Sequence, residues 1–430
     1  MVKIKNLNSL TQDERKAIVC RYGLDLEKIF PSIQSIVEDV KQRKDEAVID
    51  YTSKFDGVNL SKEKIRVSEE EISSAYQNLP EPFLNAIKKS IRNIQKFHAR
   101  QINEFSCNTQ PGVKISQIIR PLEKVGIYVP GGRAAYPSTV LMTAVPAKLV
   151  GVEQIIVCTP PQEDGAVNPA VLVACNEAGV SDIYRVGGAQ AIAAMAYGTE
   201  VIPKVEAIFG PGNIYVTAAK IFVSKDVKID LPAGPSELLI ISDDTGNPKF
   251  IAADLLSQAE HDPQAKVILV TTSEKIAIQV EKFINLFLEN LPRKDILSKS
   301  LENLWILVSD SLDKAVEFSN IFAPEHLEIH VKSPKSLLPK IKNAGAIFIG
   351  QFSPVAVGDY SAGSNHVLPT GGFAKAYSGL SSYSFVKTIS VVECSYSGLR
   401  GLAEAVITMA EFEGLTAHAE SIKKRFTNEK

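Results

Sequence analysis

Short apolar runs and longer amphipathic segments alternate along most of the chain. From residue 113 onward, strand-like runs such as EQIIVCT and VEAIFGPG are each followed by a segment whose apolar positions recur at helical spacing. A second series continues through ELLIISD, AKVILVTT and LWILVSD. Repeated strand–helix units favour parallel sheets covered by helices. The pattern therefore predicts an α/β fold with two doubly wound, Rossmann-like parallel-sheet domains and a cleft between them.

The segments on either side of this alternation have a different pattern. The first 120 residues are predicted to be mostly helical and to carry little chemistry, and one helix has an apolar face formed by Ile87, Ile91, Ile94 and Phe97. Residues 350–384 are rich in Gly and Ser and have no apolar period, which is typical of a long functional loop. Residues 398–425 are predicted to be helical with an interruption near Gly414.

Composition narrows the classes of protein that fit this pattern. The 430 residues suggest two to four domains, and the net charge of -2 gives no reason to expect a nucleic-acid-binding surface. No apolar run is long enough to span a membrane, and the amino terminus lacks a secretory signal, so a cytoplasmic protein is expected. Five cysteines without a CxxC pair indicate reduced thiols, and Cys158 and Cys175 are predicted to be core residues.

Gln258 and His261 are the first candidates for metal binding. They are three residues apart at the end of a predicted helix, so both side chains lie on one face. Asp262-Pro263 then ends the helix. A carboxamide oxygen and an imidazole can share one ion, although a pair of ordinary surface residues would have the same spacing.

Glu325 and His326 place a carboxylate next to an imidazole just before the predicted strand LEIHV. Histidine can move protons near neutral pH, and the carboxylate can orient it or act on water. In the same strand, His330 is expected to face solvent.

Asp359 follows the strand AGAIFIG and a glycine, where its carboxylate can reach a cation or form an Asx turn. In the C-terminal helical segment, Glu413 and His418 are too far apart for an i,i+4 pair. Taken together, Gln258, His261, Asp359 and His418 form an N₂O₂ set that suits zinc, and the ligand types do not exclude manganese.

Glycine-rich turns follow three of the strands, at 130–132, 187–188 and 210–213, and each precedes a helix. Such helix starts favour phosphate. The dinucleotide fingerprint G-x-G-x-x-G is absent from these positions. The turns therefore permit a nucleotide without identifying one.

Longer motifs identify a family. From residue 123 to 419 the chain contains, in order, KVGIYVPGGRAAYPSTV, VGGAQAIAAMAYGT, FGPGNIYVTAAK, LPAGPSEL, LLSQAEHDP, APEHLEI, VGDYSAGSNHVLPT and EGLTAHA. In these motifs and their order the sequence closely resembles the histidinol dehydrogenase family. The resemblance implies an NAD-dependent zinc enzyme that oxidises L-histidinol through L-histidinal to L-histidine, the last step of histidine biosynthesis.

Carried over residue by residue, the resemblance implies a complete site. Catalysis would rest on Glu325, which activates water, and His326, the base. One zinc per subunit would be bound by Gln258, His261, Asp359 and His418. Substrate would contact Ser236, Gln258, His261, His326, Asp359, Glu413 and His418. NAD would contact Tyr128, Gln190 and Asn213.

The resemblance also implies an intertwined homodimer in which His418 completes the site of the partner. The expected division is an N-terminal arm (1–23), an α/β domain with the metal and acid–base residues (24–127 and 237–380), an α/β domain with the NAD-contacting residues (128–236) and a dimerisation tail (381–430). The loop at 350–384 would cover the site. A relative acting on another polar alcohol, a zinc hydrolase and a non-catalytic protein of the same fold remain alternatives.

Overall fold

The computed structural model describes residues 3–19, 26–131, 135–231 and 234–427. Residues 1–2 and 20–23 of the predicted arm, and residue 132 of the first glycine-rich turn, lie outside these ranges. The strands are Lys3–Asn6 (β1), Phe105–Gln110 (β2), Val113–Pro121 (β3), Lys124–Tyr128 (β4), Gln154–Cys158 (β5), Asp182–Tyr184 (β6), Ala207–Phe209 (β7), Lys228–Ile229 (β8), Glu237–Ser242 (β9), Lys266–Thr271 (β10), Trp305–Val308 (β11), His326–His330 (β12), Ala346–Ile349 (β13) and Val386–Cys394 (β14). The α-helices are Gln12–Val19 (α1), Leu26–Arg43 (α2), Asp45–Asp56 (α3), Glu69–Ala75 (α4), Glu81–His98 (α5), Pro137–Leu149 (α6), Pro169–Glu177 (α7), Gly188–Tyr197 (α8), Ile214–Val223 (α9), Pro248–Ala259 (α10), Glu274–Leu288 (α11), Lys294–Ser300 (α12), Leu312–Phe322 (α13), Val355–Tyr360 (α14), Tyr396–Phe412 (α15) and Thr416–Lys423 (α16).

The strand–helix alternation forms two parallel sheets. One sheet has the order β6-β5-β4-β7-β8 and the other has the order β1-β11-β10-β9-β12-β13. Every pair of neighbouring strands in both sheets is parallel. Helices bury both faces of each sheet, which explains the continuous apolar runs of the central strands. The structure thus confirms the prediction of an α/β fold with parallel sheets.

The order in which strands are added to the five-stranded sheet reverses at β4. The chain proceeds from β4 to β5 and β6 on one side, and then crosses to β7 and β8 on the other. Gly210, directly after β7, has a φ of +110°, and a Cβ atom built there would lie 2.1 Å from the carbonyl oxygen of Tyr128. Only glycine fits this approach. The carboxyl ends of β4 and β7 therefore meet at a topological switch point, the usual ligand crevice in such sheets.

β12 places polar side chains in the interior of the six-stranded sheet. Leu327 and Ile329 pack in the core on one face, and His326, Glu328 and His330 point to the other face because side chains alternate along a strand. His330 is only 3% exposed. The prediction that it faces solvent is wrong, because helices cover both faces of this sheet.

Two compact units divide the chain: Met1–Ala99 with Leu122–Phe385, and Arg100–Pro121 with Val386–Lys430. The first contains both parallel sheets. The second contains an antiparallel sheet of order β14-β3-β2, together with α15 and α16. Gly414 separates these two helices with a φ of +72°, as the sequence predicts. The four-part division predicted from the sequence, including the tail from residue 381, remains a prediction.

Several local predictions are refined by the structure. Cys158 and Cys175 are fully buried, as predicted. Phe97, expected on the apolar face of α5, is 49% exposed. Residues 350–384 are not simply a loop, because they contain α14 and bury Val367 and Leu368. Over the described residues, none of the helices has the length and apolar character needed to cross a bilayer.

Candidate functional site

Glu325 and His326 lie together at the start of β12, and both are buried. The Oε2 atom of Glu325 lies 3.5 Å from Nδ1 of His326 and accepts a hydrogen bond from the backbone N–H of Glu237. Nδ1 of His326 is also 3.1 Å from the carbonyl oxygen of Glu237. Because a carbonyl can only accept, this contact places the ring proton on Nδ1. In the neutral form of this ring, Nε2 therefore carries the lone pair.

Asp359 lies on α14, and its Oδ1 is 3.6 Å from Nε2 of His326. Burial alone would lower the pKa of His326, but Glu325 and Asp359 outweigh it and hold that pKa well above its usual range. Burial alone would raise the pKa of Asp359, but the interaction with His326 outweighs it, and the pKa of Asp359 is lowered. The Asp359 carbonyl accepts a hydrogen bond from Nδ1 of His366, at 3.0 Å. These contacts form one buried acid–base cluster.

Gln258 and His261 lie at the carboxyl-terminal end of α10, which packs against α14. Gln258 is 2% exposed, and His261, two residues beyond the helix, is half-buried. The His261 imidazole contributes to lowering the pKa of Asp359, so the two side chains are electrostatic neighbours. Ser236 directly precedes β9 and is half-buried. The structure therefore brings the end of α10, the start of β12 and α14 into one region.

Glu413 and His418 belong to the second compact unit. Glu413 follows the last residue of α15, His418 lies in α16, and both are exposed. Both residues are therefore assigned to the second unit alone. Their predicted roles toward a metal and a substrate stay predictions.

A second buried polar group lies on the same face of β12, and the sequence analysis missed it. Oxygen and nitrogen atoms of Asp254, Glu328 and His330 all lie within 4.8 Å of one another. Nε2 of His330 is 3.1 Å from Oε2 of Glu328. Burial, reinforced by the charge of Glu328, raises the pKa of Asp254 to about 8. These three residues have metal-ligand types, and a proton shared by the two carboxyl groups also satisfies them. The signal was present in HLEIH, whose polar residues alternate along a buried strand.

A large cavity opens at the switch point of the five-stranded sheet. Its volume is about 1610 Å³, and its lining includes Tyr128, Gln190 and Asn213. The hydroxyl oxygen of Tyr128 accepts a hydrogen bond from the Gly188 N–H, and burial raises the pKa of this phenol to about 12. Asn213 caps α9 by accepting from two backbone N–H groups. Gln190 is 1% exposed, and within the described part of the chain neither of its amide atoms has a hydrogen-bond partner.

Another part of the cavity wall comes from the N-terminal helices. α2 and α3 contribute residues including Ser32, Tyr51, Phe55 and Asp56. Residues from the first 120, which the sequence predicts to carry little chemistry, therefore help to line this cavity. No periodicity signals such a role, because these residues look like the exposed face of amphipathic helices.

The residues at these two places fit the zinc ion and the NAD molecule that the sequence predicts. The carboxamide of Gln258, the imidazole of His261 and the carboxylate of Asp359 are oxygen and nitrogen donors that zinc accepts. Oδ1 of Asp359 stands 3.6 Å from its imidazole neighbour, beyond an ordinary hydrogen bond. The cavity has the volume for a dinucleotide, and the Gln190 amide is a buried polar group that lacks a partner in the protein.

Comparisons with known proteins point to one family. The family model for histidinol dehydrogenase matches residues 20–426. A histidinol dehydrogenase from Methanocaldococcus jannaschii is 49% identical over 424 residues, which is 98% of each chain. One from Clostridium acetobutylicum is 52% identical over 408 residues, covering 94% of each. The crystal structure of histidinol dehydrogenase from Elizabethkingia anophelis has a TM-score of 0.94 at 44% identity, covering 99% of this chain and 97% of that one.

Proposed function

The chain belongs to the histidinol dehydrogenase family, and from this premise we propose that it catalyses the NAD-dependent oxidation of L-histidinol through L-histidinal to L-histidine. It is thus an oxidoreductase of histidine biosynthesis. One observation supports this proposal most strongly: a buried His326, with Nδ1 held by a backbone carbonyl, turns Nε2 toward Asp359. A cavity of dinucleotide size in the same compact unit supports the NAD requirement.

Zinc, one ion per subunit, is the metal that we propose. Gln258, His261, Asp359 and His418 of the partner subunit would hold it. When bound, the ion would orient the imidazole and amino nitrogens of the substrate, so its chemistry is mainly positioning. Ser236 and Glu413 would contribute further polar contacts to the substrate.

His326 is the proposed base of the first oxidation. Nε2 accepts the proton of the substrate hydroxyl while the carbinol carbon transfers a hydride to NAD, which leaves an aldehyde and one NADH. Asp359 is one of the two acids that raise the pKa of His326, and a cation bound by its carboxylate would weaken that effect. The backbone contact at Nδ1 keeps the ring orientation fixed throughout.

Glu325 is the proposed base toward water in the second oxidation. Its Oε2 accepts a hydrogen bond from the Glu237 N–H, and Oε1 is the proposed acceptor of the water proton. The water oxygen attacks the aldehyde carbon as Glu325 takes a water proton, and His326, protonated in the first oxidation, returns its proton to the former carbonyl oxygen, which gives the hydrate and a neutral His326. His326 again accepts a hydroxyl proton, and the hydrate transfers its hydride to a second NAD to give the carboxylate.

Tyr128, Gln190 and Asn213 are the proposed contacts to NAD. Tyr128 ends β4 and Asn213 comes after the adjacent strand β7 at the switch point. The Gln190 amide has donor and acceptor capacity that the described protein groups leave unused.

A homodimer is the proposed assembly. The second compact unit exposes Tyr396, Met409 and Phe412, the last at 91%, and apolar side chains in such exposure are typical of an interface. Exposed Glu413 and His418 in the same unit are then available to a neighbouring subunit.

Stoichiometry tests the proposed function. We expect two NADH per L-histidinol consumed, loss of turnover with a chelator and recovery on adding zinc. Simple diols and sulfonated alcohols serve as alternative substrates. Turnover of those alcohols in preference to L-histidinol, or turnover that needs no NAD, would contradict the proposal.

A further inference from the structure

Asp56 is a half-buried acid in the lining of the cavity at the switch point. It is the last residue of α3 and lines the cavity together with Gln190 and Tyr128. One of its oxygens, Oδ2, is inaccessible to solvent and, among the described residues, has no hydrogen-bond partner. Burial raises the pKa of Asp56 to about 6. At neutral pH the cavity wall therefore carries a carboxylate with at least one oxygen that the described protein groups leave unpaired.

The position of Asp56 makes this carboxylate unfavourable for the protein alone. A buried charge without a partner loses solvation. The carboxyl-terminal end of a helix is also the negative end of its dipole, so an acid at the end of α3 is repelled further. Gly57 already satisfies the helix end, since its N–H donates to the carbonyl of Ser53. The carboxylate therefore has no capping role that would account for it.

A carboxylate can only accept hydrogen bonds, so its partner must be a donor. Within a dinucleotide, ribose hydroxyls are donors, and an acid on a ribose 2′-hydroxyl is a general device of dinucleotide sites. Tyr51 and Phe55 precede Asp56 on α3 and stack at 5.7 Å, which gives the same wall an aromatic surface for a base. Glu325, His326 and Asp359 do not line this cavity, so the nicotinamide end must extend away from α3 to reach them.

We propose that Asp56 accepts a hydrogen bond from the ribose 2′-hydroxyl in the adenosine half of the dinucleotide and so restricts the enzyme to NAD. This inference rests on the proposed function. A 2′-phosphate, as in NADP, offers no donor and brings negative charge against the Asp56 carboxylate. Asp56 is then a specificity-determining residue, through one attractive and one repulsive contact.

Binding measurements on the zinc-loaded protein test the proposal. We expect Asp56→Asn to weaken NAD binding, measured by calorimetry, about 10- to 100-fold, as for a lost hydrogen bond to a charged group. The ratio of the NAD affinity to the NADP affinity should fall by more than tenfold. ADP-ribose binding should weaken in parallel, and nicotinamide mononucleotide binding should not change.

Asp50→Asn is the matched control. Asp50 lies on the same helix, but its side chain is exposed, pairs with Arg43 and does not line the cavity. This variant should bind NAD and NADP as the wild type does. Stability is a second readout, because Asp56→Asn should raise the melting temperature of the dinucleotide-free protein, whereas loss of a structural contact would lower it.

The outcomes separate this inference from the proposed function. Wild-type affinities and an unchanged NAD/NADP ratio in Asp56→Asn overturn the role of Asp56. Equal losses for NAD and NADP, a loss confined to nicotinamide mononucleotide, or a lowered melting temperature also overturn it. Wild-type protein that fails to bind NAD overturns the proposed function instead.

Discussion

Glu328 accepts a hydrogen bond of 2.8 Å from the N–H of Val355, the residue at which the helix carrying Asp359 begins. Glu328 also lies two residues along β12 from His326. Asp254, one helical turn before Gln258 on α10, contacts the same carboxylate. One buried acid therefore connects the three elements that carry the proposed base and two proposed metal ligands. Contacts of this kind orient the residues that bind a metal.

Protonation of Asp254 is expected to make stability depend on pH. The pKa of Asp254 is raised from an ordinary value of 3.8 to about 8 in the folded chain. The folded state holds a proton that the unfolded state releases, so this contribution to stability is complete below about pH 4 and is lost as pH rises to about 8.

Asp254→Asn removes that titration and keeps a donor toward Glu328. Urea unfolding at a series of pH values should show the variant gaining stability relative to the wild type between pH 5 and 8. Asp313→Asn, at an exposed position, is the control and should follow the wild type. A parallel pH profile for Asp254→Asn would show that the buried pair does not share a proton.

His326→Asn tests the base. Asparagine keeps a donor for the Glu237 carbonyl but offers no basic nitrogen at the position of Nε2. Both hydride transfers should slow by about 10²- to 10⁴-fold, the usual contribution of a general base. Rapid-mixing measurements of NADH formation from L-histidinol and from L-histidinal report the two steps. Zinc content and NAD affinity should stay at wild-type values, and undiminished turnover would remove His326 as the base.

Glu325→Gln separates the two oxidations. The glutamine oxygen can still accept from the Glu237 N–H, so the start of β12 should keep its conformation. Loss of the carboxylate should slow the oxidation of L-histidinal by about 10²-fold or more while L-histidinol oxidation to the aldehyde persists. Single-turnover assays with each substrate make the comparison. Equal losses at both stages would contradict a role confined to water.

A mixed dimer tests whether His418 serves the partner subunit. His326→Asn and His418→Asn homodimers should both be nearly inactive. If sites are shared, a dimer of one chain of each variant has one site with both lesions and one site with none, so it should recover about half the wild-type activity per dimer. Differently tagged chains allow its purification. A mixed dimer as inactive as its parents would place His418 in the site of its own chain.

The alternation of strands and helices was sufficient to predict the two parallel sheets and the places of Tyr128 and Asn213 at strand ends. Three features were not accessible in that way. Placing His330 inside requires knowing that helices cover both faces of its sheet. β14 was missed because its partner β3 lies more than 250 residues earlier in the chain. The role of Asp56 arises only when α3 packs over the sheet.

The location of the acid–base cluster departs from the usual arrangement in parallel sheets. Ligands in such sheets collect at the carboxyl ends of the strands. That arrangement fits the cavity at the five-stranded sheet. His326, however, is the first residue of β12, and Ser236 precedes β9, so this cluster lies at the amino ends of its strands.

The close approach of Gly210 to the Tyr128 carbonyl has a consequence for redesign of the cavity. Gly210 directly follows β7, which is hydrogen-bonded to β4, so any side chain added at position 210 would push these two strands apart at the edge next to the cavity. Side chains of α2 and α3 form the facing wall. Attempts to admit a bulkier or differently charged dinucleotide therefore have to substitute residues on those two helices and leave the sheet edge unaltered.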